Sequence, residues 1–139
     1  MDSVADDELL ARYILYSGWI RQSNQTVKVK QDAFVPPGNL ELSVTRHIHL
    51  TEDDIWSLGK KVARYRNRPL YGRADVKTEH VKMQNLEVKS QPIKNDPNLG
   101  DNPNHANIIG WPLEKNARKM IALEIANAAR FVANPEGKV

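Results

Sequence analysis

The sequence predicts an α+β domain: a mainly antiparallel sheet of about four to five strands with two principal helices packed on one face. Three stretches carry this expectation. Residues 40 to 50 alternate with period two, Leu40, Leu42, Val44, Ile48 and Leu50 on one side and Glu41, Ser43, Thr45, His47 and His49 on the other. Residues 51 to 67 carry the signature of a capped amphipathic helix, and residues 113 to 133 carry a long apolar stripe at helical spacing.

Taken in order, Met1 to Asp7 form an acidic segment expected to be a flexible tail, with the domain proper over 8–134 and a second flexible tail over 135–139. Glu8 to Ala11 favour a helical lead-in and Arg12 to Tyr16 a strand. Gln22 to Asn39 are mostly loop, with a short strand at Val27–Val29 and a strong turn at Pro36-Pro37-Gly38-Asn39. Phe34, one of only two phenylalanines, is expected to pin that loop to the core. The alternating strand over 40–50 is broken once, by Arg46 on its apolar side, which marks a strand end, a bulge or a buried charge.

Thr51-Glu52-Asp53-Asp54 then supplies a capping threonine with carboxylates in the first helical turn. Ile55, Leu58 and Val62 make the buried face, and Asn67-Arg68-Pro69 ends the helix. Leu70–Val76 and Leu86–Ile93 are expected as strands, with His80 in the polar connection between them. Asn95 to Asn104 holds four asparagines, two prolines and two aspartates, a composition that argues against regular structure and marks a long loop. Ala106–Gly110 is a short buried strand. The last helix runs from Leu113 to about Ala133 on a stripe of Ala117, Ile121, Ile125, Ala128 and Val132. Trp56 and Trp111 are expected in the core, and Trp19 is left open between core and interface.

The 139 residues fit one domain, with no internal repeat. The absence of cysteine removes disulfide scaffolds, thiolate zinc sites, iron–sulfur clusters and cysteine nucleophiles, and agrees with a reducing compartment. The acidic start is unlike a signal or transit peptide, and no apolar stretch approaches the ~20 residues a bilayer span needs, so no membrane is expected and the expected location is the cytoplasm. The net charge is +3 and unevenly spread: residues 55 to 74 hold Lys60, Lys61, Arg64, Arg66, Arg68 and Arg73 with no acid.

Three constellations bear on function. His47 and His49, two apart on an expected strand, would point the same way as a weak metal pair, although two solvated histidines explain the pattern more simply. His105, where a polar loop meets a buried strand, suits a general base, or a fastener bonded to a backbone carbonyl. Together with Arg46, His47 or Arg73 it would make a phosphate-handling cluster. The basic run, interleaved with Tyr65 and Tyr71, suits nucleic acid, or is an ordinary solvated helix face. No phosphate-binding glycine loop, nucleophile elbow or zinc-protease motif occurs, and no cofactor is implied.

Ala33-Phe34 before the proline turn, Leu42-Ser43-Val44 on a strand and His105-Ala106 before the final helix together resemble a set of short bacterial proteins of unassigned function, over roughly residues 10 to 132. That resemblance implies a bacterial protein and draws interest to Arg12, Phe34, Ser43 and His105; it carries no activity. Two functional expectations follow from the residues. The first is a small interaction module that binds a protein or a nucleic acid through Lys60, Lys61, Arg64, Arg66 and Arg68 without turnover. The alternative is a small enzyme acting on a phosphate-containing substrate, a nucleotide or nucleic acid, with His105 as general base and Arg46 and Arg73 holding charge.

Overall fold

A computed structural model describes residues 3–137. The chain forms β1 (Leu9–Ile14), β2 (Ile20–Ser23), β3 (Thr26–Val29), β4 (Leu42–Arg46), α1 (Glu52–Arg66), β5 (Gly72–Lys77), α2 (Thr78–Lys82), β6 (Glu87–Ser90), β7 (Ile93–Asp96), β8 (Gly100–Asn102), β9 (His105–Ile109), α3 (Lys115–Ala128) and β10 (Arg130–Ala133). The main sheet is antiparallel throughout and has six strands in the order β10-β5-β1-β4-β9-β6, rather than the expected four to five. Two hairpins, β2-β3 and β7-β8, stand apart from it.

Alternation along each strand divides the residues between two faces. Leu10 and Ile14 of β1, Leu42 and Val44 of β4, Ala74 and Val76 of β5, and Ala106 and Ile108 of β9 point to one side. There they meet Ala122, Ile125 and Ala126 of α3, Val81 of α2, Val29 of β3 and Phe34 from a 3-10 turn. Phe34 is fully buried, as its place in the loop predicted, and truncating such a side chain costs about 3–5 kcal/mol. Ala11, Tyr13 and Leu15 point the other way, onto Ile55, Trp56 and Ala63 of α1 and onto Leu70. The two long helices therefore lie on opposite faces, not on one. The apolar residues of β1 on both of its sides are the reason: a strand buried on both faces needs a layer on each.

Local chemistry accounts for the element boundaries. The Thr51 side chain accepts from the Asp54 amide and the Asp54 carboxylate accepts from the Thr51 amide, so α1 begins with a reciprocal capping box. It ends at Asn67 in the left-handed conformation, with φ 54°. The strand expected over 40–50 stops at Arg46 because the chain turns at His47–Leu50 and His49 adopts φ 64°. The helical lead-in expected at 8–11 is instead the start of β1. His80 lies within α2 rather than in a polar loop, and the strand expected at 86–93 is split between β6 and β7. The stretch from 95 to 104, expected to be irregular, folds into the β7-β8 hairpin, its turn held by the Asp96 carboxylate accepting from the amides of Asn98 and Leu99. The final helix ends at Ala128, and 130–133 form an edge strand beside β5.

Within the expected N-terminal tail, Val4 is buried in the core and Lys82 Nζ donates to the Val4 carbonyl and the Asp6 carboxylate. Residues 1, 2, 138 and 139, also in the expected tails, lie outside the described residues. Among the described residues no helix is long and apolar enough to cross a membrane.

Gly59 brings α1 close to the sheet: a Cβ there would lie 2.6 Å from the Tyr13 ring. Tyr13 has little freedom to yield, since its hydroxyl donates to the Ile55 carbonyl at 2.6 Å. Gly59→Ala is therefore expected to destabilise the protein by about 1–3 kcal/mol, the usual cost of overpacking, despite alanine's better helix propensity. Urea denaturation of the two proteins checks this.

Candidate functional site

α1 covers only part of its face of the sheet. At about 1.5 Å per residue, its 15 residues lie over β5 and β1 and leave Ser43 of β4 exposed and His105 of β9 half-buried. Between them runs a cleft of about 540 Å3. Its floor carries Tyr13 of β1, Ser43 and Thr45 of β4, and His105 and Asn107 of β9; one wall is Leu58, Lys61, Val62, Tyr65 and Arg66 of α1. The β7-β8 hairpin adds Ile93, Leu99 and Asn102, and Tyr16, Trp19, Val35 and Pro37 close the remaining side.

The floor is assembled by register. β4 pairs with β9 so that Ser43 faces Asn107 and Thr45 faces His105. The diagonal pair meets: Ser43 Oγ lies 2.8 Å from His105 Nε2. The other ring nitrogen, Nδ1, lies 2.8 Å from the Gln91 carbonyl oxygen. A carbonyl can only accept, so Nδ1 carries a proton, and in the neutral imidazole Nε2 is then the acceptor for the Ser43 hydroxyl. The Gln91 amide donates back to the His105 carbonyl, so one residue just beyond β6 holds both backbone and ring. His105 is half-buried while Ser43 is open to the cleft. Asn107 Nδ2 donates to the Gln91 and Glu41 side chains.

Arg12 enters from the side. The pairing of β1 with β4 covers Leu10↔Arg46 and Ala11↔Thr45. Beyond it, Arg12 Nη1 donates to the Ser43 carbonyl at 3.1 Å and Nε to the Ala33 carbonyl at 2.9 Å. The guanidinium carbon sits 5.1 Å from the centre of the Trp19 ring. Burial, and after it the charge of Arg66, lowers the Arg12 pKa to about 10, which leaves it cationic at neutral pH. Among the described residues no carboxylate pairs with Arg12. The cleft thus has three cationic residues, Arg12, Lys61 and Arg66, against one acid, Glu41.

The other expected site residues lie elsewhere. Arg46 is fully buried on the opposite face, its Nε and Nη2 each 2.8 Å from the Glu8 carboxylate, with the Ser3 carbonyl and Ser90 hydroxyl as further acceptors. Arg73 is buried beneath the start of α1, bonded to Asp75 and, through both terminal nitrogens, to Glu52, with Trp56 stacked 4.8 Å away. His47 Nε2 is 2.9 Å from Asp75 Oδ1 in the same network. The expected grouping of His105 with Arg46, His47 or Arg73 is therefore not assembled; Ser43 and Arg12 stand beside His105 instead. His47 is bonded inward, whereas His49 is exposed in a turn, so they do not form a pair on one face. Among the described residues no cluster of three or more His, Asp or Glu side chains could hold a metal.

The basic run divides. Lys61 and Arg66 line the cleft, while Lys60 forms an ion pair with Glu136. Arg68 Nε donates to the Leu15 carbonyl and the guanidinium lies 4.1 Å over Tyr16, and Arg64 is exposed. Ser43 is the residue whose part in the site the alternation hid: the polar side of its strand looks like a solvated face. The signal available was a second strand, at His105 and Asn107, with the same polar alternation. No family model, curated protein or solved structure matches this chain.

Arg46 and Glu8 give two expectations. Arg46→Ala leaves the Glu8 carboxylate against the core without its partner and is expected to cost about 3–5 kcal/mol in denaturant titrations. Burial raises the Glu8 pKa, but the bonds from Arg46 and the Ala5 amide outweigh it and the net shift is downward from 4.5. The folded state therefore binds fewer protons than the unfolded one near that pH. Stability from Glu8 is present above pH 4.5 and is lost as the pH falls below it through the lowered folded value. Acid unfolding curves of Glu8→Gln are expected to lack that part of the slope.

Proposed function

We propose that the protein is a small enzyme acting on a phosphate-containing substrate bound in the cleft between α1 and the sheet. His105 is its general base, and Arg12, Lys61 and Arg66 hold the substrate's charge. The observation that carries this reading is the placement of His105, its Nδ1 on the Gln91 carbonyl and its Nε2 2.8 Å from the Ser43 hydroxyl at the floor of the cleft, so that the neutral ring presents Nε2 as the acceptor. The volume falls within the ~300–1,000 Å3 common for small-molecule sites, and the lining mixes aliphatic and aromatic surface with a few converging polar groups. The cationic excess favours an anion. Trp19, Tyr16 and Tyr65 at the edge offer planar surface to a base or similar ring. A nucleotide or a nucleotide at the end of a strand has both parts. Phosphoryl chemistry rests largely on positioning and positive charge, which this set of side chains supplies.

A thermal-shift series tests the reading. Nucleoside monophosphates, inorganic phosphate and short single-stranded oligonucleotides are compared at low and high salt. A ligand of the folded state at a hundredfold excess over Kd is expected to stabilise by about 2.7 kcal/mol. Lys61→Ala combined with Arg66→Ala, both exposed positions, is expected to weaken phosphate-ester binding tenfold or more, about 1.4 kcal/mol. His105→Ala should leave binding in place and abolish turnover of the bound ester, followed by chromatography of substrate and product. No shift with any phosphate compound, or shifts indifferent to the double variant, overturn the assignment. Salt-sensitive oligonucleotide binding that depends on Lys60 and Arg64, with no turnover, would return the non-catalytic interaction module to first place.

A further inference from the structure

The geometry points to Ser43 as a covalent nucleophile: the Ser43 hydroxyl, activated by His105, forms an ester with the substrate's phosphorus before water releases it. The inference rests on the reading of the cleft as an active site, and it goes further by choosing between two uses of one base. A general base at the bottom of a cleft can activate a water or a side chain. Here the acceptor nitrogen is already occupied, at 2.8 Å, by Ser43 Oγ, so an attacking water would have to displace the serine from the base.

The contact is not needed to satisfy a buried hydroxyl. Ser43 is exposed to the cleft, where solvent would serve it equally well. It is nevertheless held from several directions. Its strand is the fourth of six, its register is set by Asn107 on β9, and its own carbonyl accepts from Arg12. His105 is held in turn by the Gln91 carbonyl, which fixes the ring and favours the imidazolium that forms when the serine proton arrives. Nucleophile, base and orienting acceptor are thus in line, the relation that activates a serine at neutral pH. Arg12, bonded to the Ser43 carbonyl, adds a positive charge to the lining of the same cleft.

The step balances without any co-reactant beyond substrate and water. Ser43 Oγ attacks phosphorus; the Oγ–P bond forms and the bond from phosphorus to the leaving oxygen breaks. The hydroxyl proton passes to His105 Nε2 and from there to the leaving oxygen. Water then attacks the phosphoserine, giving a proton to Nε2; the Oγ–P bond breaks, and Nε2 returns that proton to Oγ, which restores Ser43 and the free base.

Two electrophilic probes, an alkyl fluorophosphonate and phenylmethanesulfonyl fluoride, test the nucleophile independently of the natural substrate. With each, Oγ bonds to phosphorus or sulfur and fluoride leaves. Intact-mass and peptide mass spectrometry are expected to show one adduct, on Ser43, with at least one of the two probes. Labelling should disappear in Ser43→Ala and slow at least tenfold in His105→Ala, with both variants keeping the wild-type melting curve. Ser43→Thr, which retains a hydroxyl, checks that any loss is chemical rather than conformational and should label, though more slowly. No adduct on Ser43 with either probe, or labelling unchanged in His105→Ala, overturns the inference. If Ser43 stays unlabelled while phosphate esters still bind and turn over through His105, water is the nucleophile and only this inference falls. If Ser43 labels but no phosphate compound binds, the nucleophile stands and the substrate class falls.

Discussion

The guanidinium of Arg12 ties together the parts from which the cleft is made. It reaches the carbonyl of Ser43 on β4 and that of Ala33 in the 3-10 turn, and it lies against the ring of Trp19. One side chain therefore fixes the strand that carries the serine, the loop that plugs the core through Phe34, and an aromatic edge of the opening. It does so as a charge without a carboxylate partner among the described residues. Holding a cation on carbonyl dipoles and an aromatic face is less favourable than pairing it with a carboxylate, and burial, then the charge of Arg66, lowers the Arg12 pKa.

Comparison with the two buried strand arginines, Arg46 and Arg73, shows what is unusual about it. Arg46 lies deep in the α3 face and has the Glu8 carboxylate across both of its reaching nitrogens. Arg73 lies under α1 and has Asp75 and Glu52. Both charges are neutralised within the fold, and both knit distant segments: Arg46 ties the N-terminal segment to β4, and Arg73 ties α1 to β5. Arg12 binds segments together in the same way but retains its net charge, and it does so next to Lys61, Arg66 and the open face of the sheet. An internal carboxylate would have served stability better. The position of the exception, beside His105 and its serine partner, is what gives the exception functional meaning.

The main helices were legible because their signals are local. Thr51 and Asp54 lie three residues apart and fix the start of α1 whatever the sheet does. The alternating strand was legible for the same reason, up to Arg46; beyond it, His47 and His49 continue the alternation in sequence while the backbone has already turned. β10 was hidden because Phe131 and Val132 extend the helical stripe of α3 without a break in hydrophobic spacing. Only pairing with β5, some 55 residues earlier by the Arg130↔Asp75 register, makes that segment a strand. The β7-β8 hairpin was masked by Asn, Asp and Pro, residues that serve tight turns as readily as disordered loops. Placing the helices on opposite faces required knowing that β1 is interior to the sheet, which composition does not reveal.

The site was legible in its parts and not in its assembly. His105 could be singled out from its place between loop and strand, and Lys61 and Arg66 from the basic run. Ser43 is 62 residues from His105 in the chain, and only the β4-β9 register joins them. The polar side of β4 was ambiguous for a physical reason: a strand face turned to bulk water and a strand face turned to a ligand cleft are written in the same residues. What separates them is the layer above. α1 runs along one side of the cleft, which Leu58, Lys61, Val62, Tyr65 and Arg66 wall, and it leaves Ser43 exposed and His105 half-buried between itself and the β7-β8 hairpin. Functional groups on paired interior strands are held more tightly than groups on loops. A half-covered sheet therefore supplies both requirements of a reactive site, rigid placement from the strands and access from the missing half of the layer.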